Sequence, residues 1–271
     1  MEFLNTFGYY DLDEVTHYFL GVLMVGSSRV LGAFIMLSVF GTGQIISRTL
    51  RIGIAMSLVI FLMPLLKDQL TRDIFYQDHY TVFIIKESLI GAIIGLIVGL
   101  PFYIAGAVGT FIDNQRGAGQ SQMSDPISGS ETGVLGVFIN KGVVAIFFVA
   151  GGFFAFLDLL YSSYILWPIT DLEFDWLKPR HAVISHVITT FAVSSLLLAS
   201  PAMISMFLSE LSLALLNRFA KQLNVFILAM PIKSMVACLV LMAHIPIMMY
   251  YFQTGMTSLQ DEKVQILKAI R

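Results

Sequence analysis

Apolar and polar positions segregate into six apolar blocks separated by short polar segments. The blocks run from about Tyr18 to Phe40, Ile52 to Leu66, Val82 to Ile112, Gly142 to Leu166, Ala182 to Leu208 and Leu223 to Phe252. A bilayer-spanning helix needs about 20 residues. The second block, about 15 residues long, reaches only about 22 Å and falls short of a core of about 30 Å. The third and sixth, about 30 residues each, carry Pro101 and Pro231, and a proline inside a helix removes a hydrogen bond and favours a kink or break. The pattern therefore predicts an all-α, multi-helix membrane-type chain of long, kinked helical hairpins. Some of these helices are tilted or packed in protein instead of forming a plain row of spans.

Composition supports a lipid or assembly environment. Of 271 residues, 57% are apolar and 13% charged, against about 45–50% and about 25% in soluble domains, and mean hydropathy is +0.81. A soluble fold of this size has too little interior to hide that much apolar surface. Net charge is −2, with no long basic tract, so nucleic acid is not an expected partner. The single cysteine, Cys238, has no partner in the chain for a disulfide. The first seventeen residues hold Glu2, Asp11, Asp13 and Glu14 and no Lys or Arg, the reverse of a signal peptide's basic start, so no cleavage is expected.

Orientation is weakly determined. The acidic N-terminus favours outside, and the tail with Lys263, Lys268 and Arg271 favours inside. That combination needs an odd number of crossings, whereas six blocks are counted. One long block is a re-entrant pair, or the segments are not ordinary spans; both readings stand.

Candidate chemistry is confined to charges, glycines and one polar run. Glu87, Gly91, Gly95 and Gly99 recur every four residues and form one helical stripe, on which small residues permit close helix packing. Helix packing is the plain reading; the functional one puts Glu87 at a polar, water-lined interface. Charges within membrane segments cost roughly 2.5–3.5 kcal/mol on insertion scales and face a partner or a cavity. The candidates are Arg29, Glu87, Lys141, Asp158, Glu210, Arg218 and Lys233. Glu210 and Arg218 are two turns apart, too far to be direct neighbours. Structural pairing and ion-coupled transport both remain open. The five histidines are scattered. No H-E-x-x-H, nucleophile elbow or phosphate-binding loop with a Lys occurs, so no catalytic residue, metal or cofactor is expected.

The run from Phe111 to Gly133 differs from everything around it. It lies between long apolar blocks, is rich in amides and hydroxyls, and contains Gly117, Gly119, Gly129, Gly133 and Pro126, so it is not a regular helix throughout. An ordinary exposed loop is one reading. At membrane depth, irregular polar backbone must instead be buried in protein or line water.

Within that run, Ile112-Asp113-Asn114-Gln115-Arg116-Gly117-Ala118 followed by Asp125-Pro126 resembles the hallmark of the SctT/SpaR/YscT/HrcT family of type III secretion export-apparatus proteins, whose flagellar relative is FliR. A second region is similar as well. It comprises Leu198-Ala199-Ser200-Pro201, Leu208-Ser209-Glu210, the segment from Leu215-Leu216-Asn217-Arg218 to Asn224-Val225-Phe226, and Lys233-Ser234. Arg29 and Glu87-Ser88-Leu89-Ile90-Gly91 also fall where the family has an Arg and a Glu-x-x-x-Gly pattern. The resemblance spans nearly the whole chain. Ala220-Lys221-Gln222 departs from the family's usual Ala-Pro-Gln, which removes a fixed turn and adds a cation. The Asn-Gln-Arg-Gly form is closer to the injectisome branch than to the flagellar one.

The resemblance implies a non-enzymatic core component of the export gate, built to pack in a helical assembly. It implies one domain over residues 1–271, with an SctR-like part over about 1–180. An SctS-like hairpin and polar tail would follow over about 181–271. The implied partners are SctR-like and SctS-like subunits, an SctU-like switch protein, inner rod and needle subunits, membrane lipid, and unfolded secreted substrates in transit. The implied location is the bacterial inner membrane, raised toward the periplasm in the assembly. Pore closure is expected from Asp113, Asn114, Gln115, Arg116, Gly117, Gly119, Met123, Asp125 and Pro126. Helix packing is expected from Gly91, Gly95 and Gly99. Arg29, Glu87, Glu210, Arg218 and Lys233 are the expected buried charges.

Overall fold

The computed structural model describes residues 12–40, 47–69, 80–117, 133–170, 181–219 and 225–270. Seven helices account for nearly all of them: α1 Leu12–Met36, α2 Arg48–Gln69, α3 Tyr80–Arg116, α4 Val134–Val149, α5 Gly152–Leu166, α6 His181–Phe219 and α7 Val225–Ile270. No strand occurs among the described residues, so the all-α expectation holds. Among the described residues, each of the six apolar blocks falls mainly on helix, the fourth on two helices.

Three details differ from the sequence expectation. The second block is not short. Ser47 caps α2, its Oγ accepting from the Leu50 N–H at 3.4 Å, which satisfies one of the free donors of the first turn. The helix then runs 22 residues, about 33 Å. Pro101 and Pro231 do not end their helices, which continue through both. The break falls in the fourth block instead, where α4 and α5 meet at an angle of 69°. There Gly151 takes φ 77°, a left-handed value that glycine adopts without cost.

The chain divides into two compact units. The first comprises Met1–Gly99, Phe156–Lys178 and Gln265–Arg271. In it α1 packs parallel to the first half of α3. The crossing is close because Gly91 and Gly95 on α3 lie directly against the backbone of Arg29 and Ala33 on α1; a Cβ at either glycine would collide with it. Gly32 meets the Ser88 carbonyl in the same way. This is small-residue packing of membrane helices. Gly99 is buried on the same helix. Val30, Phe34, Ile90, Ile94 and Phe156 fill the surrounding core.

The second unit comprises Leu100–Ala155 and Pro179–Val264. The latter half of α3 and α4 form an antiparallel hairpin. Its backbones touch at Gly109 and Gly136, and Asn140 Nδ2 donates to the Phe102 carbonyl at 3.1 Å. A second antiparallel pair is α6 and α7, tied by Tyr251 Oη donating to Ser194 Oγ at 2.6 Å. At 39 and 46 residues these helices are about 58 and 69 Å long, roughly twice a bilayer core. Both expose long apolar side chains, among them Phe207, Leu215, Phe219, Met242 and Tyr250.

Candidate functional site

Two charged groupings come together from the candidate residues. The first lies in the unit containing α1. Arg29 is fully buried, and its Nε donates to Glu87 Oε2 at 2.6 Å. The glycine stripe produces this pairing. Gly91, one turn beyond Glu87, lets α1 approach at the backbone of Arg29 itself, which brings the two side chains within reach. Glu87 is thus enclosed by protein and held by cations, and it does not face a water-lined interface.

The rest of the cluster comes from α5 and the residues after it. Arg29 Nη1 donates to Ser163 Oγ and Nη2 to the Trp167 carbonyl, each at 3.0 Å. Ser163 Oγ in turn donates to the Leu160 carbonyl at 2.6 Å. The Tyr164 ring lies under the guanidinium at 4.2 Å, and its hydroxyl donates to the Gly26 carbonyl at 2.6 Å. A second cation, Lys86, contacts Glu87 Oε1 at 3.1 Å and donates to the Ile169 carbonyl at 2.8 Å.

The cluster carries two cations and one carboxylate. The carbonyls of Trp167 and Ile169, just beyond α5, supply the remaining negative potential, because the carbonyl end of a helix favours cations. Buried charges need both pairing and hydrogen bonds to be tolerated, and this cluster supplies both. Sequence reading identified Arg29 and Glu87 but missed Lys86, Ser163, Tyr164 and Trp167. Lys86 had a signal, being adjacent to Glu87. The others lie in an unremarkable apolar block.

The second grouping is the stem of the polar run. Asp113, Asn114, Gln115 and Arg116 form the last turn of α3, so the first six residues of the polar run, Phe111 to Arg116, are helical. Gly117 ends it with φ 85°, its N–H donating to the Asn114 carbonyl at 3.1 Å. A left-handed glycine is the ordinary helix stop. Asp113 is only 3% exposed. Its Oδ2 accepts from the Leu135 N–H of α4 at 3.0 Å, and its Oδ1 contacts Arg116 Nη2 at 2.7 Å. Asn114 is exposed. Gly119, Met123, Asp125 and Pro126 lie outside the described residues, as does the Ala220-Lys221-Gln222 departure.

Two of the remaining candidates pair with each other. Lys233 Nζ and Glu210 Oε2 pair at 2.8 Å between α7 and α6, with the Glu210 side chain 49% exposed. Arg218 is exposed in the last turn of α6, two turns from Glu210 as the spacing requires. Lys141 and Asp158 are exposed.

Among the described residues, five helices are long and apolar enough to cross a membrane, or six if the bent α4–α5 pair is one span. The chain is a polytopic helical membrane protein. Helical spanners of this kind lie in a bacterium's inner membrane, since outer-membrane spanners are β-barrels.

The chain belongs to the bacterial export proteins, family 1, which it matches over residues 20–259. It is 33% identical over 239 residues to the Yop proteins translocation protein T of Yersinia pestis, covering 86% of this chain and 89% of the relative. The surface presentation of antigens protein SpaR of Shigella flexneri is also 33% identical, over 228 residues, covering 84% and 86%. The flagellar biosynthetic protein FliR of Bacillus subtilis is 25% identical over 214 residues, covering 79% and 82%. The injectisome-type resemblance read from Asn114 to Gly117 accords with these identities.

Proposed function

We propose that this chain is a wall subunit of a type III export gate. In this reading it packs with SctR-like and SctS-like subunits around a pore for unfolded secreted proteins, in contact with an SctU-like switch protein and with inner rod and needle subunits. Residues 1–180 correspond to the SctR-like part and residues 181–271 to the SctS-like hairpin, and the assembly is raised toward the periplasm. The polar connection from Gly117 to Pro126, anchored by Asp113 to Arg116, helps close the pore to ions. The subunit is a structural component and not an enzyme.

The observation that carries this reading is the α6–α7 hairpin. Its helices are about twice as long as a bilayer core and expose apolar side chains from Ile188 to Phe219 and from Leu228 to Tyr250. Helices of that length have no lipid to cover them throughout, whereas neighbouring helices in an assembly would cover them. Opening needs only that partners or substrate favour a displaced connection by a few kcal/mol.

The other reading is an independent transporter using Glu87, Glu210 and Lys233. It is weakened because Glu87 is sealed against Arg29 and Lys86 and Glu210 has its own partner in Lys233. The two readings part on copurification: a gate subunit is ordered with its partners, a transporter is stable and active alone. For the pore-closing role, residues within Gly117 to Gly129 are deleted and ion leakage is measured in the assembled complex. Increased leakage is expected; unchanged leakage with unchanged secretion would sink the role.

A further inference from the structure

The two ends of the polar connection meet at one side chain. Asp113 is in the last turn of α3, and the donor it engages, Leu135 N–H, is 22 positions further along, in the first turn of α4. A carboxylate near the carbonyl end of its own helix is badly placed, and near the amide end of another helix it is well placed. Asp113 therefore directs one oxygen at α4, while Arg116, one turn on, neutralises the other at 2.7 Å.

Gly133 supplies an independent sign of the same arrangement. It is the N-cap of α4 and has no side chain with which to cap it; its φ of −61° and ψ of 154° are open to any residue. The requirement for glycine is spatial, because a Cβ there would fall on the Asp113 carboxyl group. The position that normally carries a capping oxygen is left empty, and the cap arrives from α3.

We propose that Asp113 is a clasp, a positioning residue that holds the end of α3 and the start of α4 at a fixed separation and so sets where the connection between them leaves and returns. Asp113 itself is buried and faces the hairpin interior. Its consequence for ion leakage rests on the pore-closing reading; the clasp itself does not.

The test uses the full chain in its purified export complex, with Cys238→Ser and spin labels at the exposed positions Asn114 and Val134. The parent should give one narrow distance. Asp113→Ala should shift it to longer distance and lose the narrow component. Gly133→Ala should do the same, although alanine suits that backbone and Asp113 is untouched, because the new methyl takes the carboxylate's place. An unchanged distribution in both variants overturns the clasp. Ion leakage is read on the same variants. Altered distances with unchanged leakage uphold the clasp and remove the pore-closing reading; raised leakage with unchanged distances does the reverse.

Discussion

Arg29 and Glu87, 58 residues apart in the chain, meet at 2.6 Å with neither side chain exposed. The pair forms where α1 and α3 touch backbone to backbone at Gly91, so the glycine stripe and the ion pair are one construction. Removing Glu87 leaves two buried cations, Arg29 and Lys86, without their carboxylate, whereas removing Arg29 leaves Glu87 held by Lys86 alone.

Glu87→Ala is accordingly expected to destabilise the protein by about 3–5 kcal/mol, the usual cost of breaking a buried pair. Thermal unfolding of the detergent-solubilised complex measures it. Replacing Arg29 and Glu87 together by Leu should cost less than Glu87→Ala, since it leaves one buried cation, Lys86, without the carboxylate where Glu87→Ala leaves two. Equal or larger loss in the double variant would contradict the uncompensated-charge account.

Arg29→Lys should behave as a disruptive change. Lysine keeps the charge but cannot hold Glu87, Ser163 and the Trp167 carbonyl from one planar group. The amount of intact complex recovered from membranes should fall toward that of Arg29→Ala.

Tyr164→Phe separates the hydroxyl from the ring. It loses the bond to the Gly26 carbonyl, worth about 0.5–1.5 kcal/mol, and keeps the ring beneath Arg29. Tyr164→Leu also loses the cation–ring contact and should cost measurably more. Equal melting temperatures for the two variants would count against that contact.

Glycine substitutions should sort by contact. Gly91→Ala and Gly95→Ala force α1 and α3 apart, at about 1–3 kcal/mol. Gly53→Ala, in α2 with nothing within 4 Å of an added Cβ, should be neutral or stabilising by up to about 1 kcal/mol through helix propensity. Comparing the three melting temperatures checks the packing of the stripe against a control.

Glu210→Gln should change stability by less than about 1 kcal/mol, because an ion pair with so exposed a carboxylate is screened. A large loss in the isolated chain would show that α6 and α7 depend on it.

The sequence by itself determined the helices. Six apolar blocks at this hydropathy permit little else, and the charges worth watching were visible because charge is rare in such blocks. The family was legible in the polar run and in the segment around Arg218, where specific side chains recur in order. Tertiary structure decided the pairings. Arg29 could not be matched with Glu87, or Lys233 with Glu210, because spacing along the chain does not report which helices touch. Ser163 and Tyr164 became part of the ion cluster only because α5 ends beside Arg29. The position of the bend was likewise not legible: Pro101 and Pro231 cost their helices one hydrogen bond each without ending them, while Gly151 turned the chain. Asp113 reads as loop in sequence, but α4 offers its carboxylate an uncapped N-terminus, and that contact belongs to the fold alone.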